Sequence, residues 1–202
     1  MKLYDDKVAP NPRRVRIFLA EKGIDIPVEQ VPVADNAHKT DTYRAINPLS
    51  LVPALELDDG RKLCESVAIC RYLESLHPEP NLLGVDAFEQ AKIEQWNRHM
   101  EFEVLLPIAQ TFRNGHAFWK GRIPQSPEWA EISRKASHKR LAWLNEELAE
   151  RPYIAGERFT IADITALVGI DFGRISKIRI SEEEPHLKRW YDEVSARPSA
   201  KA

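Results

Sequence analysis

A chain of 202 residues with 31 acidic and 29 basic side chains carries a formal net charge of -2, which offers no electrostatic reason to bind nucleic acid or a membrane surface. Its longest apolar runs fall far short of a bilayer span, and Met1-Lys2-Leu3-Tyr4-Asp5-Asp6 lacks the basic-then-apolar plan of a secretory leader, so a soluble cytoplasmic protein is the expectation. Two cysteines, Cys64 and Cys70, make neither a disulfide framework nor a Cys-x-x-Cys pair and read as small core residues. The length suffices for a substantial core in one large or two small domains.

In chain order, Lys2-Leu3-Tyr4 reads as a short strand and Pro10-Asn11-Pro12 as a turn. Arg13 to Lys22 follows as a helix with Val15, Phe18 and Leu19 on one face and Gly23 at its end. Pro27 to Pro32 suits a second strand, parallel to the first because a helix lies between them. A polar loop around His38-Lys39 and one or two turns near Tyr43 lead to Asn47-Pro48, where Asn47 reads as a turn or cap residue. Ala54-Leu55-Glu56-Leu57 and Arg61-Lys62-Leu63-Cys64 flank Asp58-Asp59-Gly60 as a hairpin.

Two features of this half point to a ligand. Val52-Pro53 enters an apolar strand although proline removes a ladder donor, which leaves an edge open. Glu65-Ser66 precedes a helix through Val67 and Ile69 to Leu73, with Ser66 expected as its cap. A carboxylate, a hydroxyl and free helix N–H groups then lie together, which suits a small zwitterion with its anionic end on the helix terminus and its ammonium on Glu65.

The composition changes at His77-Pro78-Glu79-Pro80-Asn81-Leu82-Leu83-Gly84. The expected organisation is an α/β domain over 1–76, a linker over 77–84 and an all-helical domain over 85–202. Asp86 is placed to cap a long helix through Trp96, Met100 and Leu105, kinked at Pro107. Ser126-Pro127 opens another helix. Thr160-Ile161-Ala162-Asp163 reads as a capping box with Phe159 as staple, ahead of a nearly all-apolar helix. The last helix runs near Pro185 to Ala196. His99, His116, His138 and His186 show no metal-ligand spacing, and neither a phosphate loop nor a dinucleotide fingerprint is present, so no metal is expected.

Four stretches, in this order and spacing, resemble the cytosolic glutathione S-transferases, of a bacterial type nearer the theta, zeta and nu-like branches than the alpha or mu branches. They are Arg14-Val15-Arg16-Ile17-Phe18-Leu19-Ala20-Glu21-Lys22-Gly23, Asn47-Pro48 with Val52-Pro53-Ala54-Leu55, Glu65-Ser66 with Ala68-Ile69, and Tyr153-Ile154-Ala155-Gly156 with Phe159 to Asp163. The resemblance implies an α/β plus all-α fold, in which a thioredoxin-like N-terminal domain binds glutathione as co-substrate and a helical C-terminal domain forms the pocket for a small hydrophobic electrophile. It also implies a homodimer. Pro53 would be cis, with the backbone of Val52 pairing with the cysteinyl unit; Glu65 would face the γ-glutamyl ammonium, Ser66 its carboxylate, and His38 and Lys39 the glycine carboxylate.

At the catalytic position the resemblance departs. The family's serine, five residues before Arg14, is Ala9 here, the alpha-like tyrosine falls at Asp5, and Asp5 or Asp6 would repel a thiolate. Asn11 matches the asparagine of nu-like members and is the candidate donor to the sulfur, while N-capping ahead of Pro12 is its other reading. Arg13 and Arg14 read as sources of positive potential or as surface or domain-bridging residues. The second-substrate pocket is expected from Val8, Phe112, His116 and Trp119, with Phe102, Leu106 and Arg113 nearby, although aromatic residues at helical spacing also suit a core. Ser50 stands where the family often has glycine. Conjugation, glutathione-dependent reduction of a disulfide or peroxide, and a non-catalytic binding module are the activities compatible with this pattern.

Overall fold

In the computed structural model all 202 residues are described, and they form two compact units, Met1–Asn81 with Lys201–Ala202, and Leu82–Ala200. The first unit is built on a four-stranded sheet of order β2-β1-β3-β4, with β1 at Lys2–Asp5, β2 at Val28–Gln30, β3 at Ala54–Glu56 and β4 at Lys62–Cys64. β1 runs parallel to β2, with Leu3 opposite Val28, and antiparallel to β3, with Leu3 opposite Leu55. Both faces of β1 are covered: Leu3 is buried, and its neighbour Tyr4 packs on the opposite face with Val31, Tyr43 and Ala54.

Helix α1 (Pro10–Lys22) supplies Val15, Ile17 and Phe18 to the core and ends at Gly23, whose φ of 63° is the left-handed C-cap. The predicted start is three residues late. Pro10-Asn11-Pro12 is the first helical turn and not a separate turn, because prolines at the first and third helical positions have no N–H that the helix needs there. Helix α2 (Asp41–Arg44) is a short turn of helix capped by Thr40, and α3 (Ser66–Leu76) packs on α1. Lys22 fastens the end of α3: its buried ammonium donates to the carbonyls of His77, Pro78 and Pro80 at 2.8, 3.3 and 2.6 Å and pairs with Glu74 at 2.5 Å.

The second unit is helical, with α4 at Ala87–His99, α5 at Leu106–Gly115, α6 at Pro127–Glu147, α7 at Ile161–Gly173 and α8 at Pro185–Ser195. Asp86 and Ser126 cap α4 and α6 as expected. The irregularity predicted at Pro107 lies one turn earlier: a π-helical segment, Met100–Leu105, joins α4 to α5. Proline has no N–H for the carbonyl four residues before it, and the wider turn accommodates that loss. Gly169 of α7 meets this segment, where a Cβ would stand 3.3 Å from the Leu105 Cα.

The start of α7 is fully satisfied by its own chain. Thr160 and Asp163 form the capping box, and the buried Asp163 carboxylate also accepts from Ile154 N at 2.9 Å and Trp190 Nε1 at 2.8 Å. Burial pushes this carboxyl up to about 6, against the pull of those donors. No helix is long and apolar enough to cross a membrane.

Candidate functional site

The first turn of α3 follows directly from β4. Its N-cap is Glu65, not Ser66 as the sequence suggests, and Ser66 is the first helical residue. The Glu65 backbone sits at φ 68°, ψ 115°, a conformation side-chain-bearing residues rarely adopt and one whose cost of roughly 1–3 kcal/mol is met at functional sites more than elsewhere. The Glu65 side chain is exposed and makes no cap bond. The first backbone N–H groups of α3 therefore lack intrahelical partners, the earliest closing bond being Ile69 N to Glu65 O at 2.9 Å. An anion at this end would meet free donors and the positive end of the helix dipole, with a carboxylate alongside.

Val52 stands two residues ahead of β3, outside both ladders, and its bond to Pro53 is cis. The preceding residue is tightly held: the Leu51 carbonyl accepts from Tyr43 Oη at 2.8 Å and from Asn47 Nδ2 at 2.7 Å. The Asn47 Oδ1 accepts from Leu49 N at 3.1 Å, so Asn47 forms the expected Asx turn. Ser50, in the glycine position of the family pattern, adopts φ 54° and so keeps the left-handed geometry without glycine.

The start of α1 contrasts with that of α3. Ala9 is its N-cap and no side chain caps it, so the capping reading of Asn11 fails: Asn11 is the second helical residue, exposed, with its Oδ1 accepting from Arg14 Nη1 at 3.2 Å. Pro10 and Pro12 have no N–H, and Arg13 N bonds Ala9 O at 3.3 Å. Within the first three helical residues the sole backbone donor is that of Asn11, which also carries a side-chain NH2.

The other polar groups near β1 are engaged elsewhere. Tyr4 donates to Glu56 at 2.6 Å, and burial, then that contact, raises its hydroxyl pKa. Asp5 accepts from Arg16 at 2.5 Å and from Gln30 at 2.6 Å, and Asp6 from the N–H groups of Val8 and Val33. Neither cysteine is a thiolate candidate, since burial pushes the Cys70 thiol up to about 12 and raises that of Cys64.

The remaining predicted residues divide. His38 and Lys39 share one 3₁₀ turn, Ala37–Lys39, but His38 is only 8% exposed whereas Lys39 is open to solvent. Val8 is 80% exposed in the first unit. Phe112, His116 and Trp119 come together in the second, with ring centroids 4.9 Å apart for Phe112 and His116 and 6.0 Å for Phe112 and Trp119. His116 Nδ1 also accepts from Phe118 N at 3.1 Å, so this ring caps the turn that carries Trp119.

Sequence reasoning undervalues Arg14. Its side chain is fully buried, and its Nη1 also donates to Ser66 Oγ at 2.5 Å. Two signals in the sequence point to it: Arg14 lies three residues from Asn11 and four before Phe18, on the core-facing stripe of α1.

Comparison with known proteins gives the same architecture. Residues 3–81 match the family model of the glutathione S-transferase N-terminal domain and residues 96–198 that of the C-terminal domain. Glutathione S-transferase 2 of Saccharomyces cerevisiae is 35% identical, over 100% of this chain and 88% of the relative. Among solved structures, a glutathione S-transferase domain-containing protein of Marinobacter aquaeolei superposes with a TM-score of 0.94 at 38% identity, covering 98% of this chain and 99% of the other. Gtt2 of Saccharomyces cerevisiae superposes at 0.95 and 34%, covering 100% and 99%. With two family models in the expected order and full-length relatives above 30% identity, the chain belongs to the glutathione S-transferase family.

Proposed function

We propose that the first unit binds glutathione and holds its sulfur as a thiolate for attack on a small hydrophobic electrophile. The observation that carries the reading is the open first turn of α3, where unsatisfied N–H groups and the exposed Glu65 carboxylate stand side by side. That pairing fits the γ-glutamyl end of the tripeptide, which bears an anion and an ammonium on one carbon. The carboxylate takes the N–H group and hydroxyl of Ser66, and the ammonium takes Glu65. The cysteinyl backbone adds to Val52 beside Pro53 as an extra strand, and Lys39 supplies charge for the glycine carboxylate, with His38 forming the buried wall of the same turn.

Asn11 is the donor to the sulfur in this reading, through its side-chain NH2 and its backbone N–H at the start of α1. Both favour the thiolate over the thiol, whose proton leaves to solvent. The sulfur then bonds the electrophilic carbon while the leaving group departs with the displaced electron pair. Phe112, His116 and Trp119 offer an apolar, aromatic surface for the electrophile.

A second reading is favoured by Ala9, which caps α1 without any side-chain donor: glutathione-dependent reduction of a disulfide or peroxide, which asks less of a hydroxyl donor, or binding without catalysis. Calorimetric titration of glutathione, together with thiolate absorbance at neutral pH, separates these readings. Binding with a thiolate signal that is lost in Asn11→Ala supports the transferase; binding with disulfide reduction but no conjugation supports the reductase; absence of binding overturns the site.

A further inference from the structure

Arg14 lies at the junction of the two helix starts. Its Nη1 donates to Asn11 Oδ1 at 3.2 Å and to Ser66 Oγ at 2.5 Å, and its side chain is fully buried. The two acceptors belong to different helices, α1 and α3, and in the reading above they serve two different groups of the ligand, its sulfur and its γ-glutamyl carboxylate. Building on the glutathione site proposed above, we infer that Arg14 is a positioning residue that couples recognition of the γ-glutamyl carboxylate at Ser66 to stabilisation of the sulfur at Asn11.

The physical basis is the direction of the two bonds. An amide whose oxygen accepts from a guanidinium has its NH2 group turned away from that cation, so Arg14 fixes which end of Asn11 faces the sulfur. A serine oxygen that accepts from a guanidinium keeps its own proton to donate, and the nearby charge makes that proton a better donor to a carboxylate. Burial strengthens both effects, because little water competes for the guanidinium. A carboxylate docking at Ser66 shifts the shared Nη1 between its two acceptors, and the orientation of Asn11 responds. A lysine keeps the charge but replaces the planar Nη1 group, whose two hydrogens point in fixed directions toward the two oxygens, with a freely rotating ammonium.

The test is a double-mutant cycle read on bound glutathione. Asn11→Ala and Ser66→Ala, alone and together, are measured for the thiolate-to-thiol ratio at pH 7, in the wild-type and Arg14→Lys backgrounds. Each single change is expected to lower the ratio by about tenfold. With Arg14 present the two factors do not multiply, and in the Arg14→Lys background they do. Factors that multiply in the wild-type background, or that fail to multiply equally in both, overturn the coupling.

A measurement on the ligand-free protein needs no change at Arg14: Ser66→Ala moves the side-chain amide resonances of Asn11. If those resonances stay in place, Arg14 does not connect the two residues. Wild-type protein that binds no glutathione overturns the proposed function and this inference with it. Wild-type protein that binds glutathione as thiolate with independent factors overturns the role of Arg14 alone.

Discussion

The helix starts at Thr160 and at Glu65 are opposites. At α7, capping box, buried carboxylate and indole leave no donor looking for a partner. At α3, the cap residue faces solvent, its backbone is held at a positive φ and its side chain does nothing for the helix. A terminus completed by its own chain contributes to stability, whereas one left incomplete keeps its donors for something that arrives later. The start of α1 is a third kind, with two prolines that remove donors and one asparagine that concentrates what is left.

The largest expected effect is at the closed end. Asp163→Ala removes the acceptor of the Ile154 and Thr160 N–H groups and of the Trp190 indole. It should cost about 3–5 kcal/mol in chemical denaturation, since each buried unsatisfied donor costs roughly 1–3 kcal/mol. Asp163→Asn should cost less and should also change the pH dependence. The folded carboxyl titrates at about 6, against 3.8 for an unperturbed aspartate. Its contribution is therefore fully present below about 3.8, falls as pH rises toward 6 and is flat above. Wild-type stability measured relative to Asp163→Asn should follow that course between about pH 4 and pH 7, and an upward course would reverse the sign assigned to burial.

The open ends should show the inverse pattern, with large effects on ligand and small ones on stability. Glu65→Gln should weaken glutathione binding by about tenfold in calorimetry, the scale of one hydrogen bond to a charged group. Asn11→Ala should raise the thiol pKa of bound glutathione by about one unit. Although Asn11 does not cap α1, its removal takes an acceptor from the buried Arg14 guanidinium and should cost about 1 kcal/mol of unfolding free energy, well below the loss at Asp163. The smallest effect is Ser50→Gly, which relieves a left-handed residue at φ 54° and should stabilise by up to about 1 kcal/mol.

Much of the fold is legible in the sequence because its signals are local. The Asp-Gly hairpin, the Asx turn at Asn47, the caps at Asp86 and Ser126 and the Thr160–Asp163 box all act within a few residues, and all stand where the sequence places them. The failures lie at helix starts, where two registers compete. Ser66 and Asn11 have capping chemistry, yet β4 delivers the chain to α3 one residue earlier, and Pro10 is already helical. The Arg14 bridge is hidden for a different reason: its partner Ser66 is 52 residues away, and no spacing rule reports a contact made only by packing α1 on α3.

The contrast between closed and open helix ends is tested most directly by titrating unlabelled glutathione into ¹⁵N-labelled protein and following the backbone amides. The largest shifts are expected at Ser66, Val67, Val52 and Asn11, with Ile161, Ala162 and Asp163 unchanged. Saturating glutathione that leaves the α3 start unmoved, or that perturbs the α7 start as strongly, would contradict the assignment of α3 as the end left open for ligand.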